Sequence, residues 1–255
     1  MRIYVETNWL VSWVLPHHQW RQAARALLND AESSLCALRI PEVALLEAEH
    51  VVIEDTNAHN KAISETAKSL AMAGQNMGLP GVTALKECLE AAEETYRLAD
   101  PLQELRKLGE RCRAKGFVFS NPDKEQKAAD ELRNEVTFRG KDIVDFHLLA
   151  AVAADRGDAP EGRAAFLSTN KIEFNPANEK CKVPRDFYAK RKMIYRDVFD
   201  LKSALRLWER AAELGWALPQ PTKKDPRAKE AQSILGGLRE EQLDRALAAL
   251  KAIAP

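Results

Sequence analysis

The sequence lacks three features that would assign it to particular classes of protein. Its cysteines number only four and are scattered without any CxxC pair, which favours reduced, mostly buried thiols over a disulfide framework. No apolar stretch approaches the roughly 20 residues that span a bilayer, so we expect no membrane association. The 38 basic and 38 acidic side chains cancel, so any basic patch that binds nucleic acid has to be local.

The 255 residues can form one large domain, or one domain with an appendage, and can bury a full hydrophobic core. A strand that begins at Arg2 leaves no room for a signal peptide, and we therefore expect a cytoplasmic protein. Beyond Gly215 three prolines alternate with basic residues, a composition typical of a linker, and residues 238–253 then form an amphipathic helical pattern. The sequence thus predicts a domain over residues 1–216 and a linker with a helix over residues 217–255.

The first ten residues are the most informative stretch of the chain. Residues 3–5 form a β-branched and aromatic run typical of a buried strand, and a helical pattern starts at Trp9. Between them lie Glu6, Thr7 and Asn8, of which Thr7 or Asn8 is the expected N-cap of the helix. A carboxylate that follows a strand and faces a helix N-terminus lies where open α/β sheets build their sites. A cluster that only caps the strand would have the same sequence.

Three further strands predict an α/β fold with a parallel central sheet. These strands cover residues 35–40, 165–168 and 193–195, and helical patterns separate them. Residues 57–116 are mostly helical in pattern, with breaks near residues 78–81 and 100–101. We expect them to form a helical insertion that gates access to a site or supports dimerisation.

Acidic residues near the starts of two later helices extend the first polar cluster. Glu47 lies one turn into a helix predicted over residues 42–53, among apolar neighbours, where a carboxylate is costly unless something compensates it. Asp142 and Asp145 share a face in the first turn of an Ala-rich helix, and two acids there exceed what capping requires. The strand that ends at residues 168–170 carries a similar polar sequence, Ser-Thr-Asn.

The carboxyl ends of parallel strands meet at one edge of the sheet, so Glu6, Glu47 and Asp145 are expected to lie close together there. Carboxylates that converge repel one another strongly unless a cation is present. Hard oxygen ligands of this kind suit Mg²⁺ or Mn²⁺, which can activate water and stabilise the oxyanions of a phosphodiester under attack. The pattern therefore predicts a metal-dependent hydrolytic site.

Four stretches together resemble the PIN-domain family of metal-dependent nucleases. Residues 4–8 look like the opening strand of that family, which normally ends in Asp-Thr-Asn or Asp-Ser-Asn. Residues 41–47 look like its proline-led helix with a metal-binding glutamate, and residues 145–151 look like its Asp-led, Ala-rich helix. Residues 166–174 look like its late strand and the loop that follows. In order and spacing, the four stretches cover most of residues 1–200.

The resemblance implies a Rossmann-like three-layer fold, a Mg²⁺ or Mn²⁺ site and the cleavage of RNA. Carried over by position, the catalytic residues and metal ligands would be Glu6, Glu47 and Asp145. The supporting residues would be Asn8, Asp142, Ser168, Asn170 and Glu173. Because many bacterial relatives are toxins held by a cognate antitoxin, the expected partners are RNA, an antitoxin-like protein and a second copy of the chain.

Two departures from the family pattern affect the expected activity. Glutamate at position 6 is one methylene longer than the usual aspartate and must reach a metal from a different rotamer. Asn170 removes a charge where many members have aspartate, which weakens or abolishes a second metal site unless Glu173 restores it. The sequence thus favours a metal-dependent endoribonuclease over a catalytically weakened module that binds RNA or a protein. A DNA-directed nuclease of similar chemistry is a third alternative.

A basic segment offers a local surface for RNA. Residues 180–192 interleave cations with Phe187 and Tyr188, a composition able to contact phosphates and to stack on bases. The residues expected to bind RNA are Arg185, Lys190, Arg191 and Lys192. A solvated loop would have the same composition.

Overall fold

The computed structural model describes residues 1–16, 18–77, 82–133, 143–157, 162–176, 178, 183 and 185–213. Within these residues the sheet is formed by β1 (Arg2–Val5), β2 (Ala37–Pro41), β3 (Val118–Phe119), β4 (Ala164–Leu167) and β5 (Met193–Arg196). The helices before β3 are α1 (Thr7–Val14), α2 (Arg21–Glu32), α3 (Glu42–Met77), α4 (Val82–Ala99) and α5 (Pro101–Ala114). Those after β3 are α6 (Pro122–Leu132), α7 (Ile143–Arg156), α8 (Lys171–Phe174), α9 (Arg185–Lys190) and α10 (Leu201–Glu213). Asp142 and the tail predicted over residues 217–255 lie outside the described residues.

The five described strands form a parallel sheet in the order β3-β2-β1-β4-β5. From β1 the chain moves outward to β2 and β3, crosses back to β4, and continues outward to β5. Right-handed crossovers therefore place α1 to α5 on one face and α6 to α9 on the other. The winding direction reverses between β1 and β4, and open α/β sheets bind ligands in the crevice at the carboxyl ends of such strands.

Both faces of the sheet are buried, as a parallel sheet requires. Ile3, Tyr4 and Val5 of β1 have no exposed surface, and neither has any residue of β4. The Ala-rich helix α7 packs Leu148 and Val152 into the same core. The apolar runs that predicted these elements are therefore explained by burial on two sides.

The predicted strands are confirmed to within two residues at each end, but two features differ from the prediction. β3 was not predicted, because two residues show no periodicity. The helix predicted over residues 42–53 continues to Met77, since no proline interrupts the chain before Pro80. The break expected near residues 100–101 is present, because Asp100 separates α4 from α5. The break expected near residues 78–81 lies outside the described residues.

The expectation of buried, reduced thiols is confirmed for two cysteines. Cys36 and Cys112 are free and buried, and burial raises the pKa of Cys36 to about 11 and that of Cys112 to about 12. Cys88 is free and exposed on α4. Among the helices in the described ranges, none combines the length and the apolar character that crossing a membrane requires.

Asp155 in the last turn of α7 ties that helix to the sheet. Its Oδ2 accepts a hydrogen bond of 2.7 Å from the Tyr4 hydroxyl and one of 3.3 Å from Arg39 Nε, and its Oδ1 accepts another from the Arg39 guanidinium. Arg2 lies 3.4 Å from the same carboxylate. Burial alone would raise the pKa of Asp155, but the hydrogen bonds from Arg39 and Tyr4 hold it below its usual value.

We expect Asp155→Ala to lower the free energy of unfolding by about 2–4 kcal/mol, because Tyr4 and Arg39 lose a shared acceptor. Since the native pKa lies below the unfolded value of about 3.9, this contribution is present above that value and is lost as pH falls through the native pKa. Urea unfolding should therefore show a gap between parent and variant that is wide at neutral pH and narrower at about pH 3.

Glu32→Ala is the matched control, because it breaks the more exposed ion pair between Glu32 and Arg111. This substitution should lower the free energy of unfolding by less than about 1 kcal/mol. Equal losses in the two variants would contradict the role assigned to Asp155.

Candidate functional site

Glu6 connects the central strand to the first helix. It is the N-cap of α1, and its Oε2 accepts a hydrogen bond of 2.6 Å from the Asn8 backbone N–H. The prediction that Thr7 or Asn8 caps this helix is therefore wrong. The Glu6 side chain is long enough to fold back onto the first turn, and this leaves the Thr7 hydroxyl available for another partner.

The Glu6 carboxyl group is buried without full hydrogen bonding. The residue is 3% exposed, and Oε1 is a buried oxygen with no hydrogen-bond partner. Burial raises the pKa of Glu6 to about 8, and the charges of Asp145 and Glu47 act in the same direction. The Asn8 N–H and the Ser168 hydroxyl favour the ionised form but do not offset burial. The protonated form of Glu6 therefore persists to a higher pH than that of an ordinary glutamate.

Glu47 reaches the same edge of the sheet from the second turn of α3. It is half-buried, and its Oε2 accepts a hydrogen bond from the Thr7 hydroxyl. Thr7 is itself buried, with 4% of its surface exposed. The sequence marks Thr7 only as a candidate cap, whereas in the structure its hydroxyl orients Glu47.

Asp145 lies in the first turn of α7, which begins at the carboxyl edge of the sheet. It is half-buried, and its charge contributes to the raised pKa of Glu6. The three principal acids predicted from the sequence are therefore close enough to interact electrostatically. We call Glu6, Glu47 and Asp145 the carboxylate site.

The residues after β4 form a compact polar turn beside the carboxylate site. Ser168 is fully buried, and its Oγ accepts a hydrogen bond of 3.0 Å from the Asn170 N–H. The Asn170 Oδ1 caps α8 by accepting a bond of 3.3 Å from the Glu173 N–H. Ser168 thus neighbours Glu6 as predicted, while the Asn170 side chain has a structural task of its own. Lys171 forms an ion pair of 2.7 Å with Asp197, just beyond β5.

The fit of this site to a divalent cation rests on the chemistry of its donors. The buried Glu6 Oε1 lacks a partner, and its neighbours Glu47 and Asp145 supply further hard oxygens of the kind that Mg²⁺ and Mn²⁺ prefer. As the described side chains stand, however, no three His, Cys, Asp or Glu residues are arranged closely enough to enclose a metal. A cation would therefore have to draw the long glutamate side chains of Glu6 and Glu47 together.

The segment predicted to bind RNA is only partly suited to that role. Phe187 and Tyr188 are buried, with 0% and 4% exposure, so neither ring can stack on a base. Arg191 is also buried, and its guanidinium lies 4.2 Å from the centre of the Phe187 ring. Amphipathic residues that looked like a contact surface in the sequence instead pack α9 against the core. Lys190 and Lys192 remain exposed, and the backbone of Arg185 begins α9.

The buried Glu6 predicts an unusual dependence of stability on pH. Its native pKa lies above the ordinary value of 4.5, so the unfolded chain loses this proton first and stability falls between pH 4.5 and about pH 8. With a chelator present, Glu6→Gln should remove this slope. It should raise the free energy of unfolding relative to the parent by about 1–4 kcal/mol at about pH 8, and by much less at about pH 5.

Urea unfolding at both pH values measures the difference. Glu49→Gln, at a more exposed position on α3, should follow the parent at each pH. A constant offset between Glu6→Gln and the parent would show that the carboxyl group does not titrate as described.

No family model, curated protein or solved structure matches this chain, so what the site does must be inferred from its own residues.

Proposed function

We propose that the protein is a PIN-like, metal-dependent endoribonuclease in which Glu6, Glu47 and Asp145 hold Mg²⁺ or Mn²⁺. The observation that carries this proposal is the meeting of three acids from separate parts of the chain at the point where the sheet reverses its winding. Their order along the chain and their places directly after β1, on α3 and on α7 agree with the motif resemblance. When bound, the ion would supply an activated water and charge stabilisation for the phosphodiester.

The chain's own residues would orient the site. The Thr7 hydroxyl limits the rotation of Glu47, and the Asn8 N–H holds one oxygen of Glu6 and leaves the other without a partner. The N-termini of α1 and α7 lie at this edge, and their positive ends offset part of the repulsion among the acids. The oriented Glu47 and the oxygen of Glu6 without a partner support a site that can accept a cation, while the helix ends lower the cost of keeping the acids ionised before a cation binds.

The second candidate function is a catalytically weakened PIN-like module that binds RNA or an antitoxin-like protein. Two observations favour it. Burial raises the pKa of Glu6, which opposes the charged form that binds a cation, and the Asn170 side chain is used as a helix cap where many family members have an acid. Binding to RNA without cleavage in the presence of Mn²⁺ would distinguish this module from the nuclease.

The nuclease proposal predicts cleavage of single-stranded RNA that requires Mg²⁺ or Mn²⁺ and stops when a chelator is added. Asp145→Asn and Glu47→Gln should each reduce the rate to below about one hundredth of the parent, because each removes a ligand. Glu49→Gln changes the same kind of residue on α3 outside the carboxylate site and should leave the rate unchanged. Cleavage that resists the chelator, or an active Asp145→Asn protein, would refute the proposal.

Cation binding can also be tested without substrate. Without a cation, Asp145→Asn removes a repelling charge, so the variant should melt no lower than the parent. Mn²⁺ at a hundredfold excess over its dissociation constant should stabilise the parent by about 2.7 kcal/mol and the variant by much less. If Asp145 only caps α7, asparagine replaces it well, and Mn²⁺ should shift both melting temperatures equally.

A further inference from the structure

A pair of arginines lies on an indole ring at the far end of α1 from the carboxylate site. Arg21 and Arg25 are four residues apart on α2 and therefore share a face of that helix. The Arg25 guanidinium lies 4.7 Å from the centre of the Trp13 ring, and Arg21 Nε donates a hydrogen bond of 3.4 Å to the Trp13 carbonyl oxygen. All three residues are half-buried and keep part of their surface in solvent.

These two cations lack the carboxylate partners that other arginines have. In the described part of the chain, neither Arg21 nor Arg25 forms an ion pair, whereas Arg39, Arg111 and Arg113 each contact a carboxylate. Burial and the charge of Arg25 lower the pKa of Arg21, and the opposing influence of Glu104 is weaker. Glu104 itself contacts Lys107 at 3.6 Å. The two guanidinium groups are thus held close together with their charge largely uncompensated.

The surroundings of Trp13 and Arg25 contain more hydrogen-bond donors than acceptors. Arg25 Nε and Trp13 Nε1 are buried N–H groups with no partner. A buried donor without an acceptor costs about 1–3 kcal/mol, so the native chain retains an arrangement that is unfavourable on its own. A ligand with a negative charge and several oxygen acceptors would compensate the charge through the parts of the two guanidinium groups that remain in solvent. Guanidinium groups bind phosphate in this way, through several parallel N–H···O bonds.

We infer that Trp13, Arg21 and Arg25 form a receptor for a phosphate group. Because Arg25 covers one face of the Trp13 ring, cation–π contact holds the guanidinium in place. The face of the ring that Arg25 covers is therefore not open to a stacked base.

The receptor is separate from the carboxylate site and does not depend on a metal. Trp13 lies six positions after Thr7 on α1, a rise of about 9 Å along the helix. An RNA held at both places would present a different phosphate to each. The bound group is either a phosphate of an RNA chain or a free phosphate ion, and separate experiments distinguish these two sources.

The first experiment uses inorganic phosphate as the probe, the full-length protein and a chelator throughout. Phosphate should raise the melting temperature of the parent above that in chloride at the same ionic strength, and Arg21→Gln with Arg25→Gln should abolish this difference. Arg111→Gln with Arg133→Gln removes the same number of charges elsewhere and should keep the response. Arg25→Lys keeps the charge but not the planar group, and should retain only part of the shift. An equal shift in parent and Arg21/Arg25 variant, or no shift beyond chloride in the parent, would overturn the inference.

The second experiment measures the binding of a labelled single-stranded RNA by fluorescence anisotropy across a range of salt concentrations, again with a chelator. If the receptor holds an RNA phosphate, the Arg21/Arg25 variant should bind about tenfold more weakly, and its salt slope should fall by about 0.7. Lost phosphate stabilisation with unchanged RNA binding assigns the receptor to free phosphate. The RNA-binding experiment contains no metal, so its outcome is independent of the cleavage test. Either the phosphate receptor or the nuclease proposal can therefore be refuted without the other.

Discussion

The burial of one carboxyl group constrains the structure around it. Glu6 follows a strand that is paired on both sides, so water cannot surround its side chain. The fold replaces the lost water contacts of Glu6 only in part, with one backbone N–H of α1 and a neighbouring hydroxyl. The acids from α3 and α7 approach the same place and increase the cost of ionisation. A place where folding leaves such a cost uncompensated is a strong candidate for a functional site.

The sequence predicts this architecture wherever the signal is local and strong. β1 and β4 are short runs of residues buried on both faces, and acids that follow parallel strands must meet at one edge. The contact between Thr7 and Glu47 could not be predicted, because it joins residues 40 positions apart and depends on side-chain rotamers. The burial of Phe187 and Tyr188 could not be predicted for a related reason, since amphipathic residues pack inward or face solvent according to what lies beneath them.

A zero net charge conceals three different electrostatic arrangements. Asp155 is a half-buried acid that arginines and a tyrosine satisfy, and it stabilises the fold. Among the described residues, Glu6 is a buried acid with no partner for one oxygen, and the arginines beside Trp13 form no ion pair with an acid. The balance across the whole chain therefore says little about what each place can bind. Local pairing separates the structural charges from those available to a ligand.

The length of α3 links the carboxylate site to a distant part of the molecule. This helix has 36 residues and is about 54 Å long. Its second turn carries Glu47, and Ile63 is its last buried side chain among those described. A continuous ladder of backbone hydrogen bonds is stiff, so a force applied near Met77 tilts the helix as a rod and is not absorbed in a loop. Because the second turn of the same helix carries Glu47, such a tilt would change the distance between Glu47 and Glu6.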